Sequence, residues 1–370
     1  MRRTVIFAII VLLVFLSGCT LPVNKNSDAD DGVKPDRAVV PDEGDFKKET
    51  KAAESERQSM TVPEEKPGAE AADARKEESR QKLAVTLYYQ DKQGHVFPVT
   101  RRIVKQEGIA RAAVNGIIDS AINREELEYY GLYPILPAGT EILGISIKEA
   151  TAVIDFNKKL LDYQDEVAER NIVSSVVYTL TEFKTINGVK ILIDGHAKGK
   201  LKYGTDISGV LNRENTMVNS DRVNIKKGSG KIDIYMFKSV SDIGPYMLPL
   251  SVEIEKVDGE DIPGRLVEFL GSNSKYKELY SEVPPGTRLI SSSIKGSTLT
   301  LNFDKGLIRY GGGTAREEGV LNQILHCARQ IKGIDKVKIL IEGKAAELPE
   351  GTDISKEIPL PSVINDIIDK

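Results

Sequence analysis

The sequence predicts an α+β protein with two tandem β(β)αββαβ modules, each an open sheet with helices on one face. Three observations lead there: a long internal repeat, a switch within each copy between alternating and helical hydrophobic spacing, and the order of those segments.

The repeat is read from matched segments. Pro137-Ala138-Gly139-Thr140 returns as Pro284-Pro285-Gly286-Thr287, an offset of 147. At that offset Leu87-Tyr88 meets Ile234-Tyr235, Ile147-Lys148 meets Ile294-Lys295, Phe156 meets Phe303, and Lys158 meets Lys305. Val189-Lys190-Ile191-Leu192-Ile193 meets Val337-Lys338-Ile339-Leu340-Ile341 at an offset of 148. Gly204-Thr205-Asp206-Ile207-Ser208 then meets Gly351-Thr352-Asp353-Ile354-Ser355, back at 147. Matches kept in one order along the chain mark a duplication.

In the first copy Leu83–Tyr89 alternates as a strand and pairs with His95–Val104 through the Asp91-Lys92-Gln93-Gly94 turn. A helix is expected around Ala110–Ile122. Glu141–Ile147 and Thr151–Phe156 form a hairpin across Lys148-Glu149-Ala150. A second helix over Asp165–Phe183 sets Val173, Val176, Val177, Leu180 and Phe183 on one face. Val189–Ile193 is almost wholly apolar and is expected as a central strand. The second copy repeats the series with strands over Lys231–Lys238 and Met247–Glu255 and a helix over Ile262–Gly271. Strands at Arg288–Ile294 and Ser297–Phe303 and a helix over Ala315–Ile331 complete it. The extra residue falls near Gly311-Gly312-Gly313, before that helix. The modules are therefore 83–207 and 231–356. Residues 208–230, rich in Asn, Ser, Gly and Lys, read as a linker, and 357–370 as a tail without a counterpart in the repeat.

Ahead of the modules, Arg2 and Arg3 precede an apolar run from Val5 to Leu16 that is too short to span a bilayer as a helix. Leu16-Ser17-Gly18-Cys19 then has the lipobox order of one aliphatic residue, two small residues and a cysteine. Residues 1–18 are expected as a signal peptide and Cys19 as the lipidated first residue, carrying acyl chains such as palmitate. Two chains hold firmly, at about 0.8 kcal/mol per buried CH2. Residues 19–82 mix acids and bases without hydrophobic rhythm and read as a disordered tether. A flexible coil of about 60 residues reaches roughly 45 Å.

Composition narrows the function classes. The chain is 29% charged and 40% hydrophobic, with a net charge of -4, which gives no case for a nucleic-acid partner. With Cys19 consumed, Cys327 has no partner for an intrachain disulfide. Neither cofactor, metal site nor catalytic residue is expected. His326 and Cys327 are neighbours on a helix and point about 100° apart. His95 and His196 lack metal-ligand spacing, and Asp155 and Asp304 occupy non-equivalent positions. The Gly311-Gly312-Gly313-Thr314 run lacks the Lys-Ser/Thr ending of a P-loop, follows a strand-like Leu307–Tyr310, and has Glu317 placed to complete a capping box with Thr314. Gly-Thr-Asp-Ile-Ser reads as a turn, with partner contact as the alternative. Tyr129, Tyr130 and Tyr133, with Tyr276 and Tyr280 in the second copy, read as cover for a sheet edge rather than as a binding ridge.

Lipobox, charged tether and two units carrying Pro-x-Gly-Thr, a hairpin ending at Phe156 or Phe303 and a Val-Lys-Ile-Leu-Ile strand resemble the GerM family. These are sporulation and germination lipoproteins of spore-forming Firmicutes with two tandem GerMN domains. The resemblance covers roughly residues 83–356 and the lipobox. It implies modules like the ring-building domains of envelope secretion machines. It also implies a non-enzymatic role at the cell membrane, supporting a transenvelope complex between mother cell and forespore, with envelope proteins as partners. Only Cys19 carries over as a functional position. A lipoprotein that binds peptidoglycan or a small ligand is the alternative.

Overall fold

The computed structural model describes residues 81–242, 244–255, 261–272 and 278–368. The expected signal peptide, Cys19, nearly all of the tether and Tyr276 lie outside them. Among the described residues no helix is long and apolar enough to cross a membrane.

The first module opens with an antiparallel hairpin, β1 (Lys82–Gln90) and β2 (Val96–Val104), with Gln90 opposite Val96. Asp91 closes its turn, its Oδ1 accepting from the N–H groups of Gln93 and His95 at 2.9 Å each. The single helix expected next is two, α1 (Ile109–Asn115) and α2 (Ala121–Glu128). The chain breaks at Gly116, where a Cβ would lie 2.8 Å from Leu87 Cδ1, and restarts at Ser120, whose hydroxyl caps the Asn123 N–H at 3.1 Å. Strands β3 (Ile142–Lys148), β4 (Thr151–Phe156), β5 (Gly188–Ile193) and the two-residue β6 (His196–Ala197) form the main sheet in that order. Helix α3 (Glu166–Leu180) is the crossover between the parallel pair β4 and β5. The expected central strand is an inner strand, third of four, paired with β4 on one side and β6 on the other. Strand β5 is buried on one face only: Val189, Ile191 and Ile193 face the core while Lys190 and Leu192 stay half-buried.

The second module repeats this with β7 (Ser229–Ser241), β8 (Gly244–Glu255), α4 (Ile262–Leu270), β9 (Leu289–Lys295) and β10 (Thr298–Phe303). Helix α5 (Gly313–Ala328), β11 (Lys336–Ile341) and β12 (Ile358–Pro359) complete it, in the sheet order β12-β11-β10-β9. Even the irregularity recurs: β3 bulges between Ile142 and Gly144, and β9 at the equivalent place, between Leu289 and Ser291. The strand-like Leu307–Tyr310 is corrected to a 3-10 turn over Lys305–Ile308, capped by Asp304 just as Asn157 caps Lys158–Leu161. Helix α3 packs on both β5 and β1, which buries Val173, Val176, Val177 and Leu180 together with most of its polar side.

The hairpins of the two modules meet where β2 lies beside β8. The segment that composition marks as a linker also packs here, and the tail has a counterpart after all. Leu211 and Ile358 bridge to the equivalent residues Val189 and Val337. Further on, Val218-Asn219 of the linker answers to Ile364-Asn365 of the tail. Asn219 Oδ1 accepts from Val96 N–H at 2.7 Å, and its Nδ2 donates to the carbonyls of Val96 and Pro249 at 2.8 Å each. Asn365 Oδ1 accepts from Met247 N–H at 2.9 Å, and its Nδ2 donates to Met247 and Pro98 at 2.7 Å each. The backbone follows suit, with Ser251 N–H donating to Val218 and Thr100 N–H donating to Ile364. Such reciprocity is that of an isologous interface, here built within one chain.

Candidate interaction faces

The repeated Gly-Thr-Asp-Ile-Ser loops are held from below. Glu169 of α3 is fully buried; its Oε2 accepts from Tyr203 N–H and the Tyr163 hydroxyl at 2.7 Å each, and its Oε1 accepts from Thr205 N–H at 3.0 Å. Glu317 of α5 does the same, accepting from the N–H groups of Glu350 and Thr352 and from the Thr352 hydroxyl. Burial alone would raise both carboxyls, but these donors outweigh it and hold each below the usual range. Glu317 therefore forms no capping box with Thr314: α5 starts at Gly312, without a side-chain cap. Asp206 and Asp353 close the loops as Asx turns to Ser208 and Ser355.

The neighbouring turns are fixed in the same manner. Asp155 accepts from Gly195 N–H at 2.9 Å and its equivalent Asn302 from Gly343 N–H at 2.7 Å. Asp304 holds the N–H groups of Arg288 and Gly306. Both aspartates thus serve backbone turns and share no substrate-sized space. The Gly311–Gly313 run offers its Gly313 N–H to Glu350 at 3.2 Å.

Polar groups also cross the seam between modules. Glu182 accepts from Arg213 at 2.6 Å, Tyr88 at 2.9 Å and Arg329 at 3.1 Å. Burial opposes its charge, but the two guanidinium groups win and lower its pKa to about 2. Tyr178 donates to Asp233 at 2.9 Å, and Lys231 ion-pairs with Asp233 at 2.6 Å. Lys238 pairs with Asp91 at 2.6 Å and lies 2.8 Å from His95 Nδ1. These partners join the modules.

His326 and Cys327 both face inward but toward different neighbours. The His326 ring sits 5.3 Å from the Tyr235 ring, and Cys327 Sγ accepts from Tyr235 N–H at 3.3 Å. Burial pushes the Cys327 thiol up to about 12, the opposite of an activated nucleophile. His196 is exposed on the β5–β6 turn, and among the described residues no group of His, Cys, Asp and Glu has the layout of a metal site. Two of the tyrosines cover an edge, through their backbones: Tyr133 bridges to Gln90 on β1 and Tyr280 to Phe237 on β7. The Tyr129 side chain is exposed.

What remains is surface that is similar in both copies. Away from the helices, each sheet sets out one pattern by register: Ser146–Val153–Lys190 in the first module and Ser293–Thr300–Lys338 in the second. Thr151 and Thr298 stand one row on, opposite Lys148 and Lys295. The serine and lysine positions agree between the two faces, while Val153 is replaced by Thr300. The sequence analysis missed Glu169 and gave Glu317 only a capping role, although the offset of 148 pairs them; the seam residues Asn219 and Asn365 stand 146 apart, off the repeat's register, and were missed.

A family model described as "Germane: Sporulation and spore germination" matches residues 86–199 and again 234–347, together more than half of the chain. The spore germination protein GerM of Bacillus subtilis (strain 168) is 27% identical over 362 residues, covering 95% of this chain and 94% of that protein. The solved tandem GerMN domains of the sporulation protein GerM from Bacillus subtilis superpose with a TM-score of 0.67 at 26% identity, over 76% of this chain and 99% of theirs. Both modules of the fold, matched once each and joined as in that structure, make the chain a member of the Germane family of sporulation and spore germination proteins.

Proposed function

We propose that this protein is a lipid-anchored, non-enzymatic assembly factor of the sporulating cell envelope, which supports a transenvelope complex between mother cell and forespore. The observation that carries this reading is the pair of equivalent, rigidly pinned surfaces. Each carboxylate described above is engaged in holding a loop, a turn or the module seam, while the outer sheet faces keep Ser146 and Lys190 as Ser293 and Lys338. Anchoring rests on the lipobox at Cys19, and the partners are envelope proteins.

The test is a crosslinking and mass-spectrometry map in sporulating cells. Reproducible links from the open faces, near Lys190 and Lys338, to specific envelope proteins are expected. Links confined to peptidoglycan, or none above an unrelated lipoprotein control, would defeat the reading. Cys19→Ala should abolish incorporation of labelled palmitate and release the protein from membranes; unchanged labelling would rule out the anchor.

A further inference from the structure

Each main sheet ends in an edge strand, touched by a helix but left, among the described residues, without a strand partner on its outer side; on β3 the Ile142 carbonyl accepts from Arg111 at 2.6 Å. Strand β3 is the outer strand of the first and β9 of the second, and among the described residues no strand pairs with either. Natural sheets blunt such edges with inward charges, prolines or short strands. Here each edge is seven residues long, and residues 142–147 and 289–294 carry no charge and no proline. Both instead expose large aliphatic side chains: Leu143 at 50%, Ile147 at 46%, Ile290 at 54% and Ile294 at 56%.

We infer that β3 of one copy pairs antiparallel with β9 of a second copy of this chain, joining copies head to tail. One register pairs the exposed aliphatic side chains of the two edges and sets no like charges opposite each other. With Ser146 opposite Ser291, Leu143 falls opposite Ile294 and Ile147 opposite Ile290, so the four exposed aliphatic residues meet in two pairs. Glu149 then falls opposite Arg288, and Lys148 and Lys295 oppose Leu289 and Ile142, so no like charges face each other. Backbone parity agrees. Ser291 lies two residues from Ser293, the equivalent of Ser146, so outward-pointing groups of β3 meet outward-pointing groups of β9. Arg288 is accessible, with 84% of its side chain exposed although Nε lies 3.2 Å from Asp304.

Pairing like with like is poorer. Two β3 strands centred on Ile145 set Glu141 against Glu149 twice, and two β9 strands bring no carboxylate to Arg288 or Lys295. Since each copy has one edge of each kind, the contact is heterologous and continues from copy to copy. This self-association goes beyond the assembly role and is tested without any envelope partner being known.

The experiment uses the full chain in membranes of the cells that make it, carrying Ser146→Cys and Ser291→Cys together. Cys327 is buried and does not compete. Mild oxidation should give a ladder of three or more linked copies, and neither single variant should. Monomers alone, dimers alone, or links only to another protein would each overturn the inference, the last assigning the edge to that partner. In the same background Arg288→Glu should weaken the ladder by roughly threefold, the scale of one cross-strand charge pair. Adding Glu149→Arg should restore it. Both residues are exposed, so folding survives, and failure of the swap to restore the ladder would sink the proposed register.

Discussion

Mild acid should destabilise this protein through one side chain, His326. Its ring is 3% exposed, stands against Tyr235, and leaves Nδ1 without a hydrogen-bond partner. Burial first, and the nearby Arg329 second, lower its pKa to about 3 against the pull of Glu182. A histidine in the unfolded chain titrates near 6.5, so the unfolded state takes up the proton first. Stability is therefore full above about pH 6.5 and falls as pH drops toward 3, at about 1.4 kcal/mol per unit. At pH 4.5 the loss is about 2.7 kcal/mol, a large share of the 5–15 kcal/mol typical of a native protein. The carboxyl of Glu182, lowered to about 2, adds its own loss only below the ordinary carboxylate range, so the window from pH 6.5 to 4.5 isolates the histidine. His326→Phe keeps a ring against Tyr235 and removes the titration. Urea unfolding at half-unit steps should show the native chain losing stability across that window and the variant losing far less, whatever their difference at pH 7.5. Equal slopes would refute the argument.

Asn219→Ala should cost about 2–4 kcal/mol, because it strands the Val96 N–H and the carbonyls of Val96 and Pro249 at the seam; Asn365→Ala should cost a similar amount by the reciprocal loss, and urea unfolding measures both. Glu317→Ala should release the 350–355 loop, seen as faster hydrogen exchange there while α5 stays protected, with a global cost of about 2–3 kcal/mol. Arg213→Ala leaves the buried Glu182 with one guanidinium, so it should destabilise the fold by about 3–5 kcal/mol near neutral pH and raise the Glu182 pKa, followed by NMR titration.

The strands and long helices were legible because burial imposes one period on them. Phe156 and Phe303, or Ile191 and Ile339, fall on the core side of their sheets in both copies. The break at Gly116 was not legible, since it depends on the close approach of Leu87 from another element. Strand β5 takes the expected inner place, yet Leu192 is apolar and only half-buried on the open face, so an unbroken apolar run did not mean burial on both sides. The linker and tail hid their kinship because only short stretches matter in each, Val218-Asn219 and Ile364-Asn365. A polar composition conceals a clamp when its work is done by a single amide side chain. The loop-pinning glutamates were visible at an offset of 148, but as charged residues on helices they look like solvent-facing positions. Their burial follows from the backbone N–H groups of a distant loop, which no local pattern announces.

The clamp at the seam also bears on how the chain is completed during synthesis. Thr100, Pro98 and Arg102 on the second strand reach Ile364, Asn365 and Asp366, which are translated long after them. The front half of the molecule is therefore sealed only after the ribosome has finished the back half. A premature stop ahead of Ile364 strikes the module made first.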